Sequence, residues 1–184
     1  STNLSFNRNV SCRCCDASKE KHRCKNCNRQ GYETKIDRML RVDQAGEYGA
    51  ARIYAGQLAV LGSAHPEAAE IRHMAAQEAE HLTKFNALLS KRGVRPTALQ
   101  PFWHVAGFAL GAATALIGPK AAMACTAAIE TEIDRHYSEQ LTELAGDDPE
   151  FGALIEEFRE DEREHHDTAI ARGAEQAPAY PLLS

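Results

Sequence analysis

The sequence predicts an all-α fold, a four-helix bundle with one additional apolar crossover helix. Three observations predict it. Four long segments carry apolar residues at alternating steps of three and four, the spacing that lays a stripe along one helix face. Turn signals separate those segments: Gly62 to Pro66, Gly93 to Pro96, Gly118-Pro119 and Gly146-Asp-Asp-Pro149. Acid and histidine interrupt all four stripes midway, as lone Glu47, Glu78-Ala-Glu-His81, lone Glu130 and Glu162-Arg-Glu-His165.

The first helix is expected from near Glu33 or Thr34, with Thr34 as its cap, to Gly62. Its stripe reads Ile36, Leu40, Asp43, Glu47, Ala50, Tyr54, Leu58, Leu61. Pro66 opens the second helix and Gly93 stops it; here the stripe is Ile71, Met74, Glu78, His81, Phe85, Leu88. Pro101 to Ile117 carries no formal charge and forms the crossover helix. Gly107, Gly111 and Ala115 make a small-residue ridge along it that permits close helix packing. Its apolar part is too short for an ordinary membrane span. With Trp103 and His104 at one end, it suits a helix dipping into lipid from one side. Gly118-Pro119 breaks the chain. A helix from Lys120 to Ala145 follows, striped Met123, Ala127, Glu130, Asp134, Tyr137, Leu141, Leu144. Asp148 caps the last helix, which runs to about Arg172 through Phe151, Ile155, Phe158, Glu162, His165 and Ala169. Domain boundaries follow: a Cys-rich basic extension at 1–31, the helical bundle at 32–175 and an extended tail at 176–184.

Four carboxylates buried without partners would destabilise the bundle by far more than a typical hydrogen bond returns. Shared metal cations satisfy several at once. A single Glu-x-x-His carries little information, since with 18 Glu and 8 His roughly one arises by chance. A third pair, Glu70-Ile-Arg-His73, shows the difference: at about 100° per residue His73 lies roughly 140° from Glu78, off the stripe and toward solvent. The two pairs on the stripe place Glu and His one turn apart on one face, able to grip a common ion. The expected ligands of two iron ions are therefore Glu47, Glu78, His81, Glu130, Glu162 and His165. Glu78 or Glu162 is placed to bridge, and Asp134 and Asp161 to accept the other ring proton of a ligating histidine. Hard carboxylates suit iron that cycles to higher oxidation states with O2.

Residues 1–31 differ from the rest. They hold seven Lys and Arg against two acids, and five of the six cysteines. Cys12-x-x-Cys15 and Cys24-x-x-Cys27 have the pairing of a thiolate metal site, with a spacer shorter than usual. No apolar run of about 7–15 residues marks a secretory signal there, and the alternative is an acid-poor extension or part of a targeting segment. A disulfide framework is not expected in a chain long enough to bury its own core. Cys125, in an Ala-rich helix, is expected to be inert. Residues 32–184 carry 14 basic and 24 acidic side chains, which argues against nucleic acid as a partner.

Several stretches carry a family resemblance: Arg41-Val-Asp-Gln-Ala-Gly-Glu-Tyr-Gly-Ala50, Arg52-Ile-Tyr-Ala-Gly-Gln57, Glu80-His-Leu-Thr-Lys-Phe-Asn86, Gly107-Phe-Ala-Leu-Gly-Ala112, Ala122-Met-Ala-Cys-Thr126, Arg163-Glu-His-His-Asp167 and Ala177-Pro-Ala-Tyr180. Over residues 35–184 the chain resembles the demethoxyubiquinone hydroxylases of ubiquinone biosynthesis, ferritin-like di-iron monooxygenases. The resemblance places iron ligands on the same six residues. It implies two Fe ions per chain, O2 as co-substrate and reducing equivalents ultimately from NADH. The substrate it implies is a polyprenyl benzoquinol lacking one ring oxygen. It implies a membrane surface, a lipid-binding helper protein and a homo-oligomer as partners. The location it implies is the matrix face of the mitochondrial inner membrane, or the cytoplasmic face of a bacterial cell membrane. His136 and Tyr137 match a His-Tyr pair near the family's site, while Tyr54 is expected to pack.

Three rivals share parts of this pattern. A rubrerythrin-like peroxidase would use the cysteines of residues 1–31 as a one-iron relay. An iron store would not need the apolar crossover. A structural bundle that binds quinone without turning it over would carry no iron.

Overall fold

The computed structural model describes residues 24–178 and Tyr180, with side chains from Lys35 onward. The order is α1 (Cys24–Leu61), α2 (Ala68–Arg92), α3 (Gln100–Ile117), α4 (Pro119–Leu144), α5 (Pro149–Ala171) and a 3-10 turn (Ala174–Gln176). The fold is the all-α bundle that the periodicity predicts, of the ferritin-like kind that the resemblance implies. Helices α1, α2, α4 and α5 form the bundle, with α1 against α2 and α4 against α5.

The breakers act where the sequence places them. Gly93 closes α2 with φ 67°, a left-handed conformation natural to glycine, and its N–H returns to the carbonyls of the last turn. Asp148 caps α5 by accepting from the Phe151 N–H at 3.1 Å, and Arg92 from α2 clasps the same carboxylate at 2.6 Å.

Two boundaries differ from expectation. Helix α1 begins at Cys24, so Thr34 lies inside it and is not a cap. The apolar stripe starts only at Ile36; it reports where a helix meets the bundle, not where the helix begins, and no proline stands between Cys24 and Thr34 to stop it. At the other end, Ala177 is buried and Tyr180 packs against the core, so part of the stretch expected to be extended is anchored to the bundle. The paired Cys12 and Cys15 lie outside the described residues, as do the side chains of Cys24 and Cys27. Cys125 is buried, and burial raises its thiol pKa despite a hydrogen bond with Thr114.

Two apolar clusters fill the interior. One is bulky, with Leu40, Phe85, Leu88, Tyr137, Phe151, Ile155 and Phe158 among its members. The other is lined by small residues, including Ala50, Ala124, Ala127 and Ala169, together with Tyr54, Ile71, Met74 and Met123. The interrupting acids and histidines lie between the two in chain register, so apolar side chains close the site from both ends.

Helix α3 lies on α1 by its small residues, with Gly107, Gly111 and Ala115 buried. A Cβ on Gly111 would fall 1.9 Å from the Ile53 carbonyl oxygen, and one on Gly56 2.2 Å from that of Phe108. Backbone meets backbone there, so no side chain can move aside. Gly111→Ala is therefore expected to cost about 3 kcal/mol or more, lowering Tm by about 6–12 °C; an unchanged melting curve would mean the contact is looser. The opposite face of α3 leaves Phe102, Val105, Leu110, Leu116 and Ile117 exposed, with Leu99 just before it. Among the described residues, no helix is long and apolar enough to cross a membrane.

Candidate metal centre

The four stripes converge. Glu47 from α1, Glu78 and His81 from α2, Glu130 from α4, and Glu162 and His165 from α5 are all buried. They form two overlapping groups: Glu47, Glu78, His81 and Glu162 make one, and Glu78, Glu130, Glu162 and His165 the other. Within each group, one ligand atom per residue lies within 4.8 Å of every other. Glu78 and Glu162 belong to both, the position a carboxylate needs to touch two ions. Sequence reasoning singled out all six residues, and the fold brings all six together. His73 is exposed and its partner Glu70 pairs with Arg172, so the third Glu-x-x-His lies outside the site, as its angle on the helix predicts.

The donor set fits a pair of cations. Both oxygens of Glu78 and of Glu162, Oε2 of Glu130 and Nδ1 of His165 are buried without a well-formed hydrogen bond. Each imidazole turns Nδ1 inward: His81 Nδ1 lies 3.3 Å from Glu162 and 3.4 Å from Glu47, and His165 Nδ1 lies 3.3 Å from Glu162 and 3.4 Å from Glu78. Hard oxygen donors with two imidazoles suit iron over softer thiolate-seeking metals.

Charge crowding shows in the proton affinities. Burial, reinforced by the charges of Glu162 and Glu47, pushes the Glu78 carboxyl well above its ordinary range. Burial and Glu162 do the same to Glu130. For Glu162 burial acts in the opposite direction to its neighbours, and the imidazoles of His165 and His81 beside it hold it at about 2. Burial would lower His81, but Glu162 and Glu47 raise it to about 10. The cluster thus retains protons where metal charge would otherwise stand, so metal must displace them.

A surrounding shell fixes these side chains. Tyr137 donates to Glu47 Oε1, and Tyr54 donates to Glu130 Oε1. Burial raises both phenols well above their ordinary pKa, keeping them protonated donors. Tyr54, expected to pack, packs in the core and also donates to Glu130. Each histidine engages a partner through Nε2: His81 meets Asp161 at 2.9 Å and His165 meets Gln77 at 3.1 Å. Asp161 is one of the two acids expected there. Asp134 is not the other: it lies half-buried and accepts from Arg159 at 2.8 Å and Arg163 at 2.9 Å, tying α4 to α5. Two guanidiniums on the facing helix draw its carboxylate away from the interior. Gln77 escaped sequence reasoning because an amide carries no ligand signature; its one signal is its place immediately before Glu78, where Asp161 stands before Glu162. Beyond Glu47, Gln140 donates to Asp43 at 2.6 Å and His136 lies 3.3 Å from the same carboxylate. Burial lifts Asp43 to about 6, and these contacts limit the rise.

Known proteins resemble this chain. The family described as ubiquinone biosynthesis protein COQ7 matches residues 34–184. The 3-demethoxyubiquinol 3-hydroxylase of Rhodospirillum rubrum is 59% identical over 149 residues, covering 81% of this chain and 70% of that protein. The NADPH-dependent 3-demethoxyubiquinone 3-hydroxylase, mitochondrial, of Homo sapiens is 53% identical over 154 residues, covering 80% and 70%. The 5-demethoxyubiquinone hydroxylase, mitochondrial, of Saccharomyces cerevisiae is 46% identical over 165 residues, covering 81% and 71%. With a match that runs from within α1 through α5, the chain belongs to the COQ7 family of ubiquinone biosynthesis proteins.

Proposed function

We propose that this hydroxylase of ubiquinone biosynthesis is a di-iron monooxygenase that adds one ring hydroxyl to a demethoxy polyprenyl quinol at the membrane surface. The observation that carries the reading is the pair of buried ligand groups sharing Glu78 and Glu162. One iron would be held by Glu47, His81 and the shared pair, the other by Glu130, His165 and the shared pair. Bound ferrous iron supplies the electrons that activate O2, so that one oxygen atom enters the ring and the other leaves as water.

The side chains have separate tasks. Glu78 and Glu162 are the carboxylates free to contact both ions. Tyr54 and Tyr137 hold the two lone glutamates in one rotamer. Asp161 and Gln77 fix which ring nitrogen of each histidine faces the ions. The apolar clusters at either end keep bulk water from the oxidant. Helix α3 offers the exposed edge of Phe102, Val105, Leu110, Leu116 and Ile117 to lipid and to the isoprenoid tail. A lipid-binding helper protein and further copies of the chain are the partners this reading carries. Reduced nicotinamide is the ultimate electron source; the human relative's name specifies NADPH, and the family resemblance implies NADH. The mitochondrial names of the eukaryotic relatives support the matrix face of the inner membrane in a eukaryote, and the bacterial equivalent is the cytoplasmic face.

Iron-loaded protein given 18O2 and a short-tail demethoxyquinol is expected to yield product carrying one 18O. Product labelled from water, or peroxide turnover without ring oxygenation, would contradict the reading and favour the peroxidase alternative. Phe108, half-buried on α3 with the Arg52 guanidinium 5.1 Å above its ring, tests the proposed role of α3 as the entrance for the isoprenoid tail. Phe108→Asp is expected to raise KM for the quinol while iron per chain stays constant; loss of iron would show that Phe108 supports the centre instead.

A further inference from the structure

The ligand shell repeats itself. Glu47 is followed seven residues on by Tyr54, and Glu130 seven residues on by Tyr137; each tyrosine donates to the other helix's glutamate. Ten residues after each glutamate stands a glutamine, Gln57 or Gln140. Each reaches the residue four before the opposite glutamate: Gln57 lies 3.4 Å from Thr126, and Gln140 2.6 Å from Asp43. The residue before Glu78 reaches His165, and the residue before Glu162 reaches His81. The helix pair α1–α2 is thus related to α4–α5 by a two-fold operation through the centre.

Two carboxylates break that symmetry, and both stand on the same side. Asp161 stands against His81 where its counterpart Gln77 stands against His165. Asp43 stands behind Glu47 where its counterpart Thr126 stands behind Glu130. A carboxylate accepting the outer ring proton raises the basicity of the imidazole more than a neutral amide does. His136, beside Asp43, offsets part of that acid's charge, so Asp161 carries most of the difference.

We infer that the two metal positions are inequivalent, the Glu47–His81 position binding a divalent cation more tightly than the Glu130–His165 position because Asp161, not Gln77, backs its histidine. The inference rests on the proposed ligand set. Asp161 and Gln77 are positioning residues, acting through the imidazoles.

Anaerobic titration of the metal-free protein with Co(II), followed by its visible absorption, tests this. Two stoichiometric steps of unequal affinity are expected. Asp161→Asn keeps the shape and an acceptor oxygen, and is expected to weaken the tighter step about 10–100-fold while leaving the weaker one in place. Gln77→Glu is expected to tighten the weaker step and bring the two together. A gain of affinity cannot come from damage to the fold, so this variant decides the matter even if Asp161→Asn folds poorly. Equal steps in the parent protein, or substitutions that move both steps alike, would overturn the inference and leave the ligand set intact. Failure to bind any Co(II) would overturn both.

Discussion

Glu162→Gln is expected to empty both proposed metal positions and reduce quinol hydroxylation to background. Glu162 is common to both ligand groups and lies 3.3 Å from each histidine Nδ1. The amide keeps the volume and removes the charge that two cations share. The loss of metal affinity should exceed the ~10–100-fold typical of losing an outer partner, and elemental analysis of protein grown with ample iron reads it directly. His81→Ala should likewise abolish activity, whereas His73→Ala, on the exposed third pair, should leave iron and turnover unchanged. Full iron in Glu162→Gln would remove that residue from the centre.

Metal loading is expected to stabilise the protein by an amount that grows with pH. Glu78 and Glu130 have folded-state pKa values raised by burial first and by neighbouring carboxylates second. Their contribution to metal-free stability is fully present below the unfolded value, about 4.3. It is lost as pH rises toward the folded values. His81, raised to about 10 by Glu162 and Glu47 against the effect of burial, contributes below about 6.5 and loses that contribution as pH approaches 10. Glu162, held at about 2, acts oppositely: its contribution is present above about 4.3 and lost as pH falls toward 2. The metal-free protein should therefore weaken from pH 5 to pH 8. Over the same interval metal competes better with protons. At free metal near a thousand times Kd, stabilisation approaches about 4 kcal/mol. Melting curves with and without Zn(II) or anaerobic Fe(II), taken at pH 5, 6.5 and 8, should separate progressively. A constant gap would mean that the cluster does not exchange protons for metal.

The six clustered residues were legible in the sequence because a carboxylate on an apolar stripe is costly unless something satisfies it, and four such stripes broke at matching heights. The small-residue ridge of α3 was legible for a related reason: Gly107 and Gly111 make sense only where another backbone approaches. What escaped was chemistry without a periodic signature. Asp134 fits the α4 stripe by count, yet Arg159 and Arg163 hold it at the edge, a preference set by the facing helix. Gln77 is a neutral residue beside the stripe, and its role emerges only when α5 is packed and His165 needs an acceptor. The early start of α1 escaped because its first turns carry no stripe, and periodicity detects burial rather than helicity.

The most direct test of the centre is anomalous diffraction at the iron edge from crystals of the iron-loaded protein. Two peaks are expected between Glu78 and Glu162, one beside His81 Nδ1 and Glu47, the other beside His165 Nδ1 and Glu130. A single peak, or iron bound elsewhere with those side chains still facing one another, would contradict a di-iron centre.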